Sequence, residues 1–328
     1  MFWYFKYPLI VIVVIAALGL TSLLWRSCLK TLPQQENQEN TAAPAVVTPP
    51  AATAAAPSSE TASGTGLPPP PPPPAFARIE QLLQKSAQQL AAGNLEAARL
   101  LAFNALKQPE LIEFDRYWFQ AADIINEANR RFMNEGAPCA EKVRYIIRAG
   151  DNLSKLAGKF YTSVEALQRL NNMPGTDPVI HQGRALFYLK GSWSIRVSKQ
   201  QYLLLLYRDG ELYRYYHVGI GRENRTPTGN FVINSRIKHP AWTPPGKRIP
   251  YGHPDNVLGT HWLGLTPDEG TDASLVGYGI HGTWEPNTVG TGASAGCVRM
   301  HNEEIEELFA FIPEPGGSAP PVRVLIEE

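Results

Sequence analysis

Residues 31–75 contain no aromatic residue and hold 12 of the chain's 29 prolines, seven of them consecutive from Pro68 to Pro74. Proline fixes φ and lacks an N–H, so neither a helix interior nor a central strand runs through such a tract. The rest of the segment buries too little apolar surface to offset the entropy of ordering it. The seven-proline run is expected as a stiff left-handed rod of roughly 20 Å. Residues 31–75 therefore read as a linker that separates an N-terminal segment from everything that folds. A ligand for proline-binding modules is the second reading of the same tract.

The N-terminal segment is apolar. Pro8 to Trp25 is an 18-residue run without a charge, rich in Ile, Val and Leu, and a run of that length spans a hydrocarbon core of ~30 Å. Lys6 precedes it and Arg26 and Lys30 follow, with Trp3, Tyr4, Phe5, Tyr7 and Trp25 at its ends as interfacial belts have them. No small-x-small site follows the run, which argues against a cleaved signal peptide. Trp25 and Arg26 before Cys28 make a poor lipidation signal. The expectation is a membrane anchor over residues 1–30, with both flanks positive, so that charge leaves its orientation open.

Charge and cysteine usage exclude other classes. Thirty basic and 30 acidic residues give zero formal net charge, unlike a nucleic-acid binder. The 44% hydrophobic fraction is ample for a core. Three cysteines, Cys28, Cys139 and Cys297, are too few for a disulfide scaffold and form no closed zinc cluster.

Residues 76–136 show helical periodicity. Ile79, Leu82, Leu83, Ala87 and Leu90 share one face, and Gly93-Asn94 makes a turn. A second helix is expected over Leu95 to Lys107, stopped before Pro109, and a third over Ile112 to Asn134, ending at Gly136. The stretch Leu90 to Arg99 resembles a tetratricopeptide hairpin. One hairpin and one helix are too few for a solenoid, so the expectation is a helical packing or docking module open to a protein partner.

Residues 143–190 order as strand, helix, helix, strand: Val143 to Arg148, then patterns around Leu153 to Phe160 and Ser163 to Leu170, then Ala185 to Leu189. This segment resembles a LysM domain, with Asn152 where the family usually carries Thr or Ser. Asn caps a helix equally well. The resemblance implies binding of N-acetylglucosamine-containing glycans such as peptidoglycan, through Gly150, Asp151, Asn152 and Leu153 on one side and Val179 and Ile180 opposite. The competing reading is that Gly150 and Asp151 only form the turn and cap.

From Ser192 onward β-prone runs dominate. Tyr202 to Tyr207 and Leu212 to Val218 flank Asp209-Gly210, a hairpin signal. Further strands are expected at Gly229 to Ser235, Trp262 to Leu265, Gly277 to His281 and Val322 to Ile326. One helix follows Asn302, its expected cap, with Ile305, Leu308, Phe309 and Ile312 as its buried stripe.

Within this part lies Gly279-Ile280-His281-Gly282-Thr283, and then Ser294-Ala295-Gly296-Cys297-Val298-Arg299-Met300. A thiol near its ordinary pKa of about 8.5 is only a few per cent ionised at neutral pH, so a nucleophilic Cys297 needs a base. His281 lies 16 positions earlier, a spacing that suits adjacent strands joined by a loop. Gly296 lets the backbone turn so that N–H groups near Cys297 converge on a developing oxyanion. A lone cysteine is otherwise a small buried hydrophobe. A metal site of His281, Cys297 and His301 lacks a fourth ligand.

The last segment, about Ser192 to Glu328, resembles the catalytic domain of the YkuD-type L,D-transpeptidases. The matching pieces are Arg225 to Phe231, Asp255 to Gly259, Ile280 to Thr283 and Ser294 to Met300. It departs at Ala295, where many relatives carry His or a larger residue. Gly282 cannot orient His281 through a side chain, so a backbone carbonyl has to hold the second ring nitrogen. The resemblance implies a cysteine-dependent acyltransferase that makes 3→3 peptidoglycan cross-links, with Cys297 as nucleophile and His281 as base. Ser294 and Arg299 would order the loop or contact substrate carboxylates. Carbapenems inactivate relatives by thioester formation, and neither cofactor nor metal is implied. An L,D-carboxypeptidase or hydrolase, a protein-anchoring enzyme and a non-catalytic glycan-binding scaffold are the alternatives.

The expected architecture is multidomain: a transmembrane helix (1–30), a linker (31–75), a helical module (76–136), a βααβ LysM domain (143–190) and a mainly-β catalytic domain (192–328). Substrate location then places the chain in the cytoplasmic membrane by one pass, with its catalytic domain on the extracytoplasmic side.

Overall fold

The computed structural model describes residues 74–175 and 178–328. The anchor expected over residues 1–30 and nearly all of the linker lie outside them. No helix among the described residues is long and apolar enough to cross a membrane. This overturns the single-pass localisation, which rested on the apolar run of residues 8–25, its charged and aromatic flanks and the location of the substrate.

Three helices come first. α1 (Pro74–Ala91) and α2 (Leu95–Leu106) form a hairpin across Gly93, whose φ of 80° suits a residue without a Cβ. The final proline of the seven-residue run is the first residue of α1, a position where its missing N–H costs nothing. α3 (Arg116–Asn134) begins four residues later than its periodicity suggests. Phe114 takes a φ of 66°, and the Asp115 carboxylate then accepts from the Trp118 N–H at 2.7 Å, capping the helix. Ile79, Leu82, Ala98, Ala102 and Ile125 form the shared core of the three.

The next element is a small βααβ unit. β1 (Lys142–Ile146) pairs antiparallel with β2 (Ala185–Leu189), and α4 (Leu153–Phe160) and α5 (Val164–Leu170) lie between them in sequence. Asn152 and Ser163 cap the two helices, each accepting a backbone N–H at 2.8 Å.

The remaining strands are β3 (Trp193–Ser198), β4 (Leu203–Arg208), β5 (Glu211–His217), β6 (Ile220–Gly221), β7 (Gly229–Lys238), β8 (His261–Pro267), β9 (Gly279–Gly282), β10 (Gly292–Ser294), β11 (Val298–Met300) and β12 (Arg323–Glu327). Eight of them form one mixed sheet in the order β11-β9-β8-β7-β12-β3-β4-β5, and β6 and β10 form a separate parallel pair. β4 and β5 are joined at Asp209 and Gly210, both at positive φ (49° and 82°), as a primed hairpin turn requires.

α6 (Asn302–Phe311) covers one face of the sheet with Ile305, Leu308 and Phe309. Asn302 begins this helix rather than capping it; His301 occupies the cap position, with no side-chain cap hydrogen bond.

The four leucines of β4 show how the other face is used. Leu204 and Leu206 join the α6 core, while Leu203 and Leu205 pack with Trp118 and Ala122 of α3. A strand buried on both faces reads as an uninterrupted apolar run. α3 also covers the exposed edge of the sheet. The Asn126 side chain accepts from the Tyr215 N–H at 3.1 Å, and Asn129, 1% exposed, donates to the Tyr213 carbonyl at 2.8 Å. Two amides thus occupy backbone groups that an edge strand otherwise offers to another chain. The face of the helical module that carries Trp118 is therefore covered by the chain's own sheet.

The βααβ unit is fastened to the same core. The Ser163 hydroxyl donates to the Ala310 carbonyl. Arg236, on β7, donates to the Phe309 carbonyl at 2.8 Å and pairs with Glu165 of α5 at 3.1 Å. Burial opposes ionisation of Glu165, but the Lys238 hydrogen bond and the Arg236 charge prevail and hold its carboxyl at about 2.

Candidate active site

The sheet register assembles the site. In neighbouring strands Ile237 lies opposite Trp262, Trp262 opposite His281, and His281 opposite Arg299. Directly paired residues point to the same face, so these four form one row across β7, β8, β9 and β11. All four line a cavity of about 360 Å³, and Cys297, immediately before β11, lines it too. Leu263, Ile280 and Val298, one position along, face the α6 core instead. The parallel pairing of β9 with β11 requires a long crossover, and residues 283–297 supply it.

His281 is 3% exposed. Its Nδ1 lies 2.6 Å from the Gly282 carbonyl, and because a carbonyl oxygen only accepts, Nδ1 carries the proton and Nε2 remains a base. That carbonyl is the backbone partner the sequence calls for in place of a side chain. Burial, aided by the Arg299 charge, lowers the imidazole to about 4 against the opposing Gly282 hydrogen bond. The indole of Trp262 stacks on the ring at 5.7 Å and 19°, and a Cβ at Gly279 would meet that indole at 2.5 Å, so only glycine lets it lie there.

Burial pushes the Cys297 thiol up, opposed by a backbone hydrogen bond from Gly279 and by Arg299. With the imidazole lowered and the thiol raised, the resting cavity holds a neutral thiol and a neutral imidazole on its walls, not an ion pair. Attack requires the base to take the proton as the sulfur reacts.

The loop that presents the thiol is braced from both sides. Ser294, 2% exposed, donates to the Cys297 carbonyl at 2.6 Å and accepts from the Gly296 N–H at 3.0 Å. Both Ser294 hydrogen bonds stay within the loop, and one of the N–H groups near Cys297, that of Gly296, is engaged by the Ser294 hydroxyl. Gly296 has a φ of 146°, and a Cβ there would meet Tyr278 at 2.8 Å. Thr226 accepts from the Gly221 N–H at 2.7 Å and donates to the Gly296 carbonyl at 2.8 Å. Arg299 pairs with Glu285 at 2.8 Å, tying down the crossover while its side chain lines the cavity.

Two buried residues do work that their sequence pattern does not reveal. Thr226 is one. The other is Asn256, 1% exposed, whose amide lies within 3.0–3.2 Å of the Pro240, Ile249 and Pro250 carbonyls and whose oxygen accepts from the Leu258 N–H at 2.9 Å. It folds residues 240–258 into the cavity wall that includes Pro240, Trp242 and Leu258. Only the set of carbonyls it gathers discloses that role.

The candidate glycan-binding residues are dispersed. The Asp151 carboxylate accepts from the Arg148 N–H at 2.7 Å and the Tyr145 hydroxyl at 2.9 Å, Gly150 turns at a φ of 81°, Asn152 caps α4, and Leu153 is buried in the core of the unit. Val179 and Ile180 line a different cavity, of about 540 Å³, with Pro138, Cys139 and His181; residues 150–153 do not line it.

The chain is similar to known proteins over most of its described length. The family model of the L,D-transpeptidase catalytic domain, YkuD, matches residues 192–324, and that of the LysM domain matches residues 145–186. YqjB of Bacillus subtilis, named as an L,D-transpeptidase, is 37% identical over 126 residues, covering 38% of this chain and 69% of that protein. YkuD of Bacillus licheniformis, similarly named, is 30% identical over 178 residues, covering 52% of this chain and 93% of that protein. Among solved structures, an L,D-transpeptidase from Mycobacterium smegmatis aligns with a TM-score of 0.33 at 13% identity, over 44% of this chain and 64% of that one. The chain belongs to the L,D-transpeptidase family, with a YkuD-type catalytic domain and a LysM domain beside it.

Proposed function

We propose that the protein is a cell-wall L,D-transpeptidase that forms 3→3 peptidoglycan cross-links through a Cys297 thioester. The single observation that carries this reading is that His281, with Nδ1 held by a backbone carbonyl and Nε2 unprotonated, shares one cavity wall with the only thiol in the catalytic domain. Family membership supplies the substrate class, a stem tetrapeptide.

Sulfur attacks the carbonyl of the L-centre of the third residue, diaminopimelate or lysine, while His281 Nε2 takes the thiol proton. The tetrahedral intermediate collapses, the C–N bond to the terminal D-Ala breaks, and the imidazolium returns its proton to the leaving amine. A side-chain amine of a second stem then attacks the thioester, expels the thiolate and completes the cross-link. His281 again carries the proton between nitrogen and sulfur. The LysM domain holds the glycan to which the stems are attached.

Incubation of the full-length chain with a stem tetrapeptide, followed by intact-mass and product analysis, tests the reading. A thioester mass on Cys297 and a cross-linked dimer are expected. A shortened stem without dimer would make the protein a carboxypeptidase, and attachment of a protein lysine would make it an anchoring enzyme. Absence of any adduct, with a carbapenem as well as with the stem, leaves only the glycan-binding scaffold.

A further inference from the structure

We propose that Asn302 is a positioning residue for the catalytic histidine, acting through Gly259 and Gly282 from the start of α6. The inference rests on the Cys297–His281 reading.

The Gly282 carbonyl has two donors. His281 Nδ1 lies at 2.6 Å and the Gly259 N–H donates at 2.9 Å. The oxygen that fixes the ring is thus itself fixed by the segment preceding β8. Asn302 locks that segment in place: its Oδ1 accepts from the Thr260 N–H at 3.1 Å. The packing leaves no slack, because a Cβ on either Gly259 or Gly282 would collide with Asn302 Oδ1. An asparagine at the start of a helix ordinarily spends its oxygen on the helix's own N–H groups. Here α6 has no side-chain cap hydrogen bond, and the oxygen is committed across the fold to Thr260.

The motif Asp255 to Gly259 thereby acquires a second purpose. Asn256 shapes the cavity wall, while Gly259, three residues on, steadies the acceptor of the base. Without Asn302, residues 259–260 lose their anchor, Gly282 can rotate its carbonyl away, and His281 no longer has a reason to keep its proton on Nδ1. A ring with the proton on Nε2 cannot accept from the thiol. Small misplacements of this kind cost large factors in rate even when the reacting groups are intact.

The test uses the full-length chain with 15N-labelled histidine. In the wild type, His281 is expected as the Nδ1–H tautomer at neutral pH. In Asn302→Ser the Nε2–H form should become populated, and the maximal rate of carbapenem acylation at Cys297 should fall about tenfold to a hundredfold with half-saturation unchanged. Asn302→Asp keeps the accepting oxygen and should acylate within about threefold of wild type. Thr260→Pro leaves Asn302 in place but removes the N–H that it accepts, along with the Thr260 hydroxyl beside His261, and it should reproduce the tautomer shift should the serine variant fail to fold. An unmoved tautomer in both variants overturns the proposal, even if acylation slows, because the loss would then be structural. A wild-type chain that takes no adduct overturns the acyl-transfer reading instead, and the tautomer alone then judges Asn302.

Discussion

The Cys297 cavity and the LysM loops are both marked in the sequence by a polar motif beside a glycine, yet the fold treats them in opposite ways. Around Cys297, the supporting polar groups Ser294, Thr226 and Asn256 are consumed by backbone partners, while the Cys297 sulfur meets only weak backbone partners, the Gly277 carbonyl at 3.9 Å and the Gly279 N–H. Around Gly150, the motif's own polar atoms are consumed: Asp151 closes the turn and Asn152 caps α4. Val179, 77% exposed, is the most exposed apolar side chain of this unit, with Ile146, Tyr161 and Phe187 exposed as well. A motif therefore points to chemistry only when the atoms that would do it are spared by the local backbone. Substitutions should accordingly abolish function in the first region and cost mainly folding energy in the second.

The contrast is sharpest at the reacting atoms. Cys297→Ala should take no adduct from stem tetrapeptide or carbapenem by intact mass. His281→Ala should acylate more slowly by about 10²–10⁴-fold, the range of a general base. If His281→Ala acylates at the wild-type rate, the thiol is activated by something else and the contrast fails.

Acidification probes the same pair through its buried imidazole. His281 titrates at about 4 in the fold against 6.5 when free. The free enzyme should therefore keep its base unprotonated at pH 5, with the acid limb of acylation near pH 4. Between those two values the unfolded chain holds a proton that the folded chain lacks, so stability falls as pH drops from 6.5 toward 4 and levels below it. This group contributes roughly 3 kcal/mol to that loss. His261, also lowered to about 4 by burial, adds in the same direction. Urea midpoints at pH 7 and pH 4.5 check this, and His281→Gln should flatten the dependence.

Next in size is the brace. Thr226→Val keeps the shape of the side chain but strands the Gly221 N–H and the Gly296 carbonyl, at a cost of about 2 kcal/mol. Denaturation should show that loss, and acylation should slow because the thiol loop is no longer held. A variant as stable and as active as wild type would show that the loop supports itself.

How much of this is legible in the chain depends on the range of the contact. His281 and Cys297 can be read because the family motifs single them out; their spacing alone leaves a lone cysteine as a small buried hydrophobe. The Leu203–Leu206 run signals a strand, and its lack of alternation signals cover on both faces. That the cover is α3 could not be read, because helix periodicity marks an apolar face but not what it meets. β10 and β11 have three residues each, too few for any period to show. Thr226, Asn256 and Asn302 look like ordinary loop and helix-start residues, since each has a decisive partner distant in sequence: Gly296, Pro240 and Thr260. Asn302 reads as a cap because that is the local use of its oxygen, and tertiary structure claims the oxygen first.

The smallest effects are expected on the LysM side, and they decide whether that region is more than scaffold. Asn152→Ala removes the α4 cap and should cost about 1 kcal/mol, visible as faster amide exchange in α4 with acylation of Cys297 unchanged. Val179→Asp touches no core, so its denaturation midpoint should not move. If glycan is held on the side where Val179 lies, the same substitution should release the full-length chain from insoluble peptidoglycan at lower salt. If Asn152→Ala weakens pelleting and Val179→Asp does not, ligand contact lies at the turn and the contrast between the two regions is wrong. If Val179→Asp alone weakens it, the turn is structural and the apolar loop after α5 is where this domain meets its glycan.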